Sequence, residues 1–323
     1  MRALYIAARH VSLRDLPVPQ APPGEALIRV RLTGICDTDL HLQAGYMDFE
    51  GIPGHEFVGE VVQSQREDLI GRRVVGEINA ACGTCALCRR GLGRHCPHRT
   101  VLGILGRPGT HAEYITLPEE NLHVVPDAIS DEEAVFVEPL AAACEILEQV
   151  HLEPTARVAV VGDGKLGLLV ARVLALTGCE LLVLGRHARK LNVLARQGIA
   201  TKRVSPGDED QLPGRWADVV VECSGHPSGF ETARRLIKPR GTLVLKSTYR
   251  ESPPIYLAGL VVDEITVVGS RCGPFAPALR LLAHRLVRVE DLIDEQKGLS
   301  EGVQAYERAA QRGVLKVLLD PQR

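Results

Sequence analysis

The stretch "RVAVVGDGKLGLLVARVLALTGCELLVLG", Arg157 to Gly185, decides the fold of the middle of this chain. It opens with a short continuous apolar run, passes through "KLGLLVARVLALTG", whose apolar residues recur at helical spacing, and closes on a second apolar run. Strand, helix, strand, with both strands apolar throughout, predicts a parallel sheet covered on both faces. Between the first strand and the helix, Gly162, Gly164 and Gly167 follow the G-x-G-x-x-G spacing. There the first glycine permits a tight turn, the second lets backbone approach a pyrophosphate, and the third lets helix and strand pack closely; the helix N-terminus adds unpaired N–H donors. A dinucleotide site at Gly162, Gly164, Lys165, Leu166 and Gly167 is therefore expected.

Working outward, "DVVVECSG", the helical "SGFETARRLIKPRG", "TLVLKS" and "EITVVGS" continue the alternation of strand and helix. Towards the N-terminus the texture changes. In "ALIRVRLT", Ala26, Ile28, Val30 and Leu32 fall on one face and Arg29, Arg31 and Thr33 on the other, as in a half-buried strand. "EFVGEVV", "RRVVGEI" and "AEYITL" repeat that pattern between Gly- and Pro-bearing turns, which predicts an all-β domain. The helix-like "SEGVQAYERAAQRG" and strand-like "VLKVLLD" are expected to return to that first domain. The predicted division is 1–146, 147–287 and 288–323.

The 323 residues and 45% apolar content suffice for a core in each of two domains. A net charge of −2 gives no electrostatic footprint for nucleic acid or another polyanion. The sequence shows no signal-like segment and no apolar run of bilayer-spanning length, so a cytoplasmic protein without membrane association is expected. In that compartment the nine cysteines stay reduced.

Four of them, Cys82, Cys85, Cys88 and Cys96, have the short spacing of a closed tetrahedral zinc site, which leaves no coordination position for a substrate and implies a structural role. A second group is dispersed. "GICDTDLH" supplies Cys36, Asp37, Thr38, Asp39 and His41, "PGHEFVGE" supplies His55 and Glu56, and "FVEPLAAACEIL" supplies Glu138 and Cys144. One thiolate, one imidazole and one carboxylate with an open position would make a catalytic zinc. Composition alone leaves His55 equally readable as a buried hydrogen-bonded histidine and Cys36 as a small core residue.

The dinucleotide fingerprint expects an acid about 20 residues on, at the end of the second strand, to bond the ribose hydroxyls of NAD. Here that position reads Leu184-Gly185-Arg186. Without a carboxylate to repel a 2′-phosphate, Gly185 and Arg186, with Arg189 or Lys190 behind them, predict a preference for NADP. NAD is the alternative, its ribose held by Lys190 and backbone groups.

"GICDTDLH", "GHEFVGEVV", the four-cysteine lobe, "EPLA" and "VVGDGKLG" occur in an order that resembles the zinc-dependent medium-chain dehydrogenase/reductase family, the alcohol and polyol dehydrogenases. The resemblance covers nearly the whole chain. It implies a GroES-like β-barrel catalytic domain joined to a Rossmann domain with a doubly wound parallel sheet, and two zinc ions per chain. Cys36 and His55 would hold the catalytic zinc, with Glu138 or Glu56 as third ligand. Asp39 would orient His55, Thr38 would pass on the substrate proton, and His41 would hand it to solvent. Lys316 matches a basic residue that approaches the cofactor phosphates. Asp37 stands where glycine is usual and, if it faced the metal, would compete as a ligand. The implied reaction is hydride transfer between a small-molecule secondary, polyol or sugar-like alcohol and NADP, giving the carbonyl, in a homodimer or homotetramer. The alternatives are an NAD-dependent polyol or amino-alcohol dehydrogenase and, more remotely, a non-catalytic zinc- and nucleotide-binding protein.

Overall fold

A computed structural model describes residues 1–205, 208, 212–248 and 255–323. The chain forms two compact units, one from Met1–Glu138 with Phe275–Arg323 and one from Pro139–Pro274. The expected junctions at 146 and 287 fall later in the chain than these. They lie within or just beyond helices Val137–Gln149 and Phe275–Ala283, and helical periodicity does not reveal which core a helix packs on.

In the first unit, strands run in the order Leu122–Val124, Arg73–Gly76, Glu56–Gln63, Glu25–Gly34, Lys316–Asp320 and Ile293–Gly298, and Tyr114–Pro118 also pairs with Glu25–Gly34. The alternation read in "ALIRVRLT" holds from Ala26 to Leu32 and then breaks, because Thr33 is buried as well. Its hydroxyl donates to the Glu56 carbonyl at 2.8 Å and lies 2.6 Å from Thr110 Oγ1, so the polar atom is satisfied inside. The C-terminal return is also seen. Lys316–Asp320 pairs antiparallel with Glu25–Gly34 and parallel with Ile293–Gly298, and helix Gly302–Ala309 buries Ala305 and Tyr306 against Leu4, Ile35, Val317 and Leu319.

Among the described residues of the second unit, parallel strands run in the order Ala200–Arg203, Glu180–Gly185, Arg157–Val161, Ala217–Glu222, Ile237–Leu245 and Thr266–Gly269. In chain order this is 3-2-1-4-5-6, the Rossmann arrangement, whose order reverses beside Arg157–Val161. Val158, Ala159 and Val160 are fully buried, as a strand covered on both faces requires. The helix expected over "SGFETARRLIKPRG" is shorter than its pattern. It spans Pro227–Leu236, and Ile237 turns extended to join the next strand, where it pairs with Ala217.

Candidate active site

Cys36 caps helix Asp37–Gln43, and the fold holds it through Asp39. The buried Asp39 carboxylate accepts the Cys36 N–H at 2.8 Å and the Gly54 N–H at 3.1 Å, which ties the two loops together. Gly54 has φ +99°, and a Cβ there would lie 2.4 Å from His111 Cδ2, so only glycine lets the chain enter His55 at this point. Glu56 then begins its strand. The candidate ligand atoms of Cys36, His55 and Glu56 lie within 4.8 Å of one another.

His55 is buried, and its Nδ1 lies 3.4 Å from Asp39 Oδ1 without a hydrogen bond of normal geometry. Burial opposes charging this imidazole, but the Asp39 carboxylate and the Cys36 thiol overcome it and raise its pKa well above the ordinary value. Burial likewise works to raise the pKa of Asp39, yet His55 holds that carboxyl well below the usual range. Such surroundings favour positive charge, and a thiol, an imidazole and a carboxylate are a donor set that suits zinc.

Glu138, in the first turn of Val137–Gln149, lies outside the three-residue group. Its pKa is raised to about 7, first by burial and then by the carboxylates of Glu56 and Glu77, against the opposing charges of His55 and Lys316. Lys316 is buried and forms an ion pair with the equally buried Glu56, with its Nζ 5.5 Å from the centre of the Phe136 ring. The sequence singled out Lys316 for cofactor phosphates. Its partner in this structure is the Glu56 carboxylate, and Gly34 makes room beside the pair, since a Cβ there would come within 2.8 Å of Glu56 Oε2.

Thr38 is half-buried, with Oγ1 3.8 Å from Cys36 Sγ. His41 follows three residues later on the same helix and is exposed, so the two share one side of it. Asp37 is exposed and stands outside the ligand group. Cys144 is buried in the helix that begins at Val137.

The sulfur atoms of Cys82, Cys85, Cys88 and Cys96 also lie within 4.8 Å of one another, with those of Cys85 and Cys88 3.4 Å apart. Backbone N–H groups of Cys82, Cys88 and His98 point at these sulfurs from 3.3–3.5 Å. Hydrogen bonds led by the Thr84 N–H lower the Cys82 thiol to about 6, whereas burial and then Cys85 push Cys88 up to about 12. Four converging sulfurs with amide donors behind them fit a tetrahedral metal.

In the second unit the glycines of the turn are closely packed at two positions and open at one. Gly162 has φ +130°, and a Cβ there would lie 2.7 Å from the Cys223 backbone; a Cβ at Gly167 would lie 2.2 Å from the Gly162 carbonyl oxygen. Gly164, the N-cap of helix Lys165–Ala175, faces open space, and Gly164, Lys165 and Leu166 are the partly exposed residues of the turn. This is a cradle that a pyrophosphate fits. Gly185 ends its strand, exposed Arg186 donates from Nη2 to Ser228 Oγ at 2.6 Å, and Lys190 lies in the first turn of helix Ala188–Ala195.

Sequence reasoning missed Asp163. Its buried carboxylate accepts the His187 N–H at 2.6 Å and lies 3.1 Å from His187 Nδ1. It occupies a variable position of the fingerprint, and the only signal was chemical, an acid inside a loop meant for phosphates.

Comparisons with known proteins agree with this geometry. Residues 22–127 match the alcohol dehydrogenase GroES-like domain, and residues 166–284 match the zinc-binding dehydrogenase domain. A sorbitol dehydrogenase of Halalkalibacterium halodurans is 29% identical over 97% of this chain and 96% of its own length. An erythritol/L-threitol dehydrogenase of Mycolicibacterium smegmatis is 30% identical, covering 90% of this chain and 88% of its own. Among solved structures, a zinc-binding dehydrogenase from Sinorhizobium meliloti bound to NADP superposes with a TM-score of 0.89 at 29% identity, over 99% of both chains. The chain belongs to the zinc-dependent medium-chain dehydrogenase/reductase family, oxidoreductases that act on alcohols.

Proposed function

We propose that this chain oxidises a secondary alcohol of the polyol or sugar-like class to its carbonyl, reversibly, with a nicotinamide dinucleotide as hydride acceptor. The observation that carries the reading is the convergence of Cys36, His55 and Glu56 beside the Thr38 hydroxyl. The sugar-alcohol names of two similar dehydrogenases support the substrate class. Cys36 and His55 would hold a catalytic zinc. Glu56 is the resting third ligand in this reading, because its carboxylate already lies in the group, and Glu138 is the alternate. Cys82, Cys85, Cys88 and Cys96 would hold a structural zinc.

Zinc at the first site supplies the positive charge that makes a substrate hydroxyl acidic. The nicotinamide supplies the hydride acceptor. The chain's own residues do the rest. Asp39 fixes both ligand-bearing loops, and Thr38 relays the substrate proton, its hydroxyl accepting that proton as it releases its own towards solvent by way of exposed His41 on the same helix. For the dinucleotide, the strand end Gly185-Arg186, which carries no acid, supports NADP. The Asp163 carboxylate, which lies against that strand end, supports NAD.

We also place the protein in the cytoplasm as a homodimer or homotetramer. Cys82, Cys85, Cys88 and Cys96, grouped without being joined in disulfides, support a reducing compartment, and among the described residues no helix is long and apolar enough to cross a membrane. Exposed Val261, Val262 and Val267, the last on edge strand Thr266–Gly269, support self-association. Atomic emission on purified protein, with a polyol panel, tests the proposal. Two zinc ions per chain are expected, with Cys36→Ser losing one of them together with activity. Unchanged turnover by a one-zinc Cys36→Ser variant would overturn the assigned role.

A further inference from the structure

Gly185 holds the strand-end position where this fold ordinarily carries the acid that bonds the adenosine ribose. The volume above it is already filled. A side chain at 185 would begin 2.4 Å from Asp163 Cβ and 2.6 Å from its Cγ and Oδ2, so the two positions cannot both carry one. The carboxylate of Asp163 therefore stands where a strand-end acid would start. It is anchored by the His187 N–H at 2.6 Å and by His187 Nδ1, 3.1 Å from both oxygens, while 10% of the side chain still faces solvent. Two carboxylate oxygens offer about four acceptor sites, so the anchoring leaves room for a hydroxyl donor.

Resting on the dehydrogenase reading, we propose that Asp163 supplies from the phosphate loop the carboxylate missing from the strand end, accepts the 2′-hydroxyl of the adenosine ribose, and so selects NAD over NADP. A hydroxyl donates to such an oxygen. A 2′-phosphate brings only acceptors and like charge against a carboxylate held too firmly to turn away. Arg186, the cation expected to neutralise that phosphate, gives one of its donors to Ser228 Oγ, which also lies 2.9 Å from His226 Nδ1 at the start of helix Pro227–Leu236.

Fluorescence titration of zinc-replete protein with NADH and NADPH tests the assignment without any substrate. The wild type is expected to bind NADH at least about tenfold more tightly than NADPH, and Asp163→Asn to shrink that ratio at least about tenfold by tightening NADPH and weakening NADH. Arg186→Ala should leave the ratio unchanged. If Asp163→Asn does not fold, Asp163→Ser reads the same ratio. Wild-type preference for NADPH, an unchanged ratio in the Asp163 variant, or a ratio moved only by Arg186→Ala would overturn the role of Asp163 and leave the dehydrogenase reading standing. Failure to bind either dinucleotide would overturn both.

Discussion

Glu25 and Arg107 form a two-bonded pair, with Nη1 and Nη2 of the guanidinium donating to the two carboxylate oxygens at 2.8 and 2.6 Å. The Arg107 hydrogen bonds hold the Glu25 carboxyl below its ordinary value, against the opposing effect of burial. A depressed native pKa contributes stability above the unfolded-chain value, about 4.3, and that contribution is lost as pH falls through the native value. Glu25→Gln should therefore cost about 1 kcal/mol at pH 7, after discounting solvent screening. In urea melts the gap between variant and wild type should narrow below about pH 4; a gap that persists into acid would remove the ion pair as its cause. Residue scale is also where the sequence was least informative. The grouping of Cys82, Cys85, Cys88 and Cys96 was legible in their short spacing, whereas Cys36 and His55 stood out only through the order of motifs along the chain, since residue type alone left both readable as core residues. The Lys316–Glu56 pair and the placement of Asp163 were not legible, since each joins side chains distant in sequence through a fold that spacing does not encode.

Elements were more legible. Alternation revealed Glu25–Gly34 and Glu56–Gln63, and continuous apolar runs revealed Arg157–Val161 and Glu180–Gly185. Boundaries were less so. Helix Pro227–Leu236 stops before Pro239 because Ile237 is committed to strand pairing, a long-range contact that a local helical pattern does not register. The most consequential element is strand Lys316–Asp320. It lies between two other strands and carries the ammonium opposite Glu56, so its loss would expose both pairing edges and leave a buried carboxylate uncompensated. Ending the chain after Gly313 should give insoluble protein or protein lacking the Cys36 and His55 zinc, as read by solubility and metal content. A soluble, two-zinc truncation would show that this strand is dispensable.

At the scale of the molecule, the order of motifs along the chain revealed two domain types, but the position of each junction awaited packing. The apolar surface of the second unit is the feature with a solution consequence. Val261 and Val262, 76% and 79% exposed, end helix Leu257–Val262, which three residues separate from the edge strand Thr266–Gly269. Charges there would be solvated without disturbing buried packing. Val262→Asp with Val267→Asp should convert the proposed oligomer to monomers in sedimentation velocity while leaving thermal stability within a few degrees. An unchanged sedimentation coefficient would exclude this face from assembly.

The first unit is interrupted, since its sheet takes strands from residues 25–124 and then waits for 293–320. On the ribosome, at about 5–20 residues per second, Lys316 emerges on the order of tens of seconds after Glu56. Throughout that interval Cys36, two residues past strand Glu25–Gly34, borders a nascent, unclosed sheet, while the continuous Pro139–Pro274 segment is made in full. The order of synthesis thus gives the proposed Cys36 and His55 site its final surroundings late, and leaves the early cysteines open to oxidation or the wrong metal during the chain's birth.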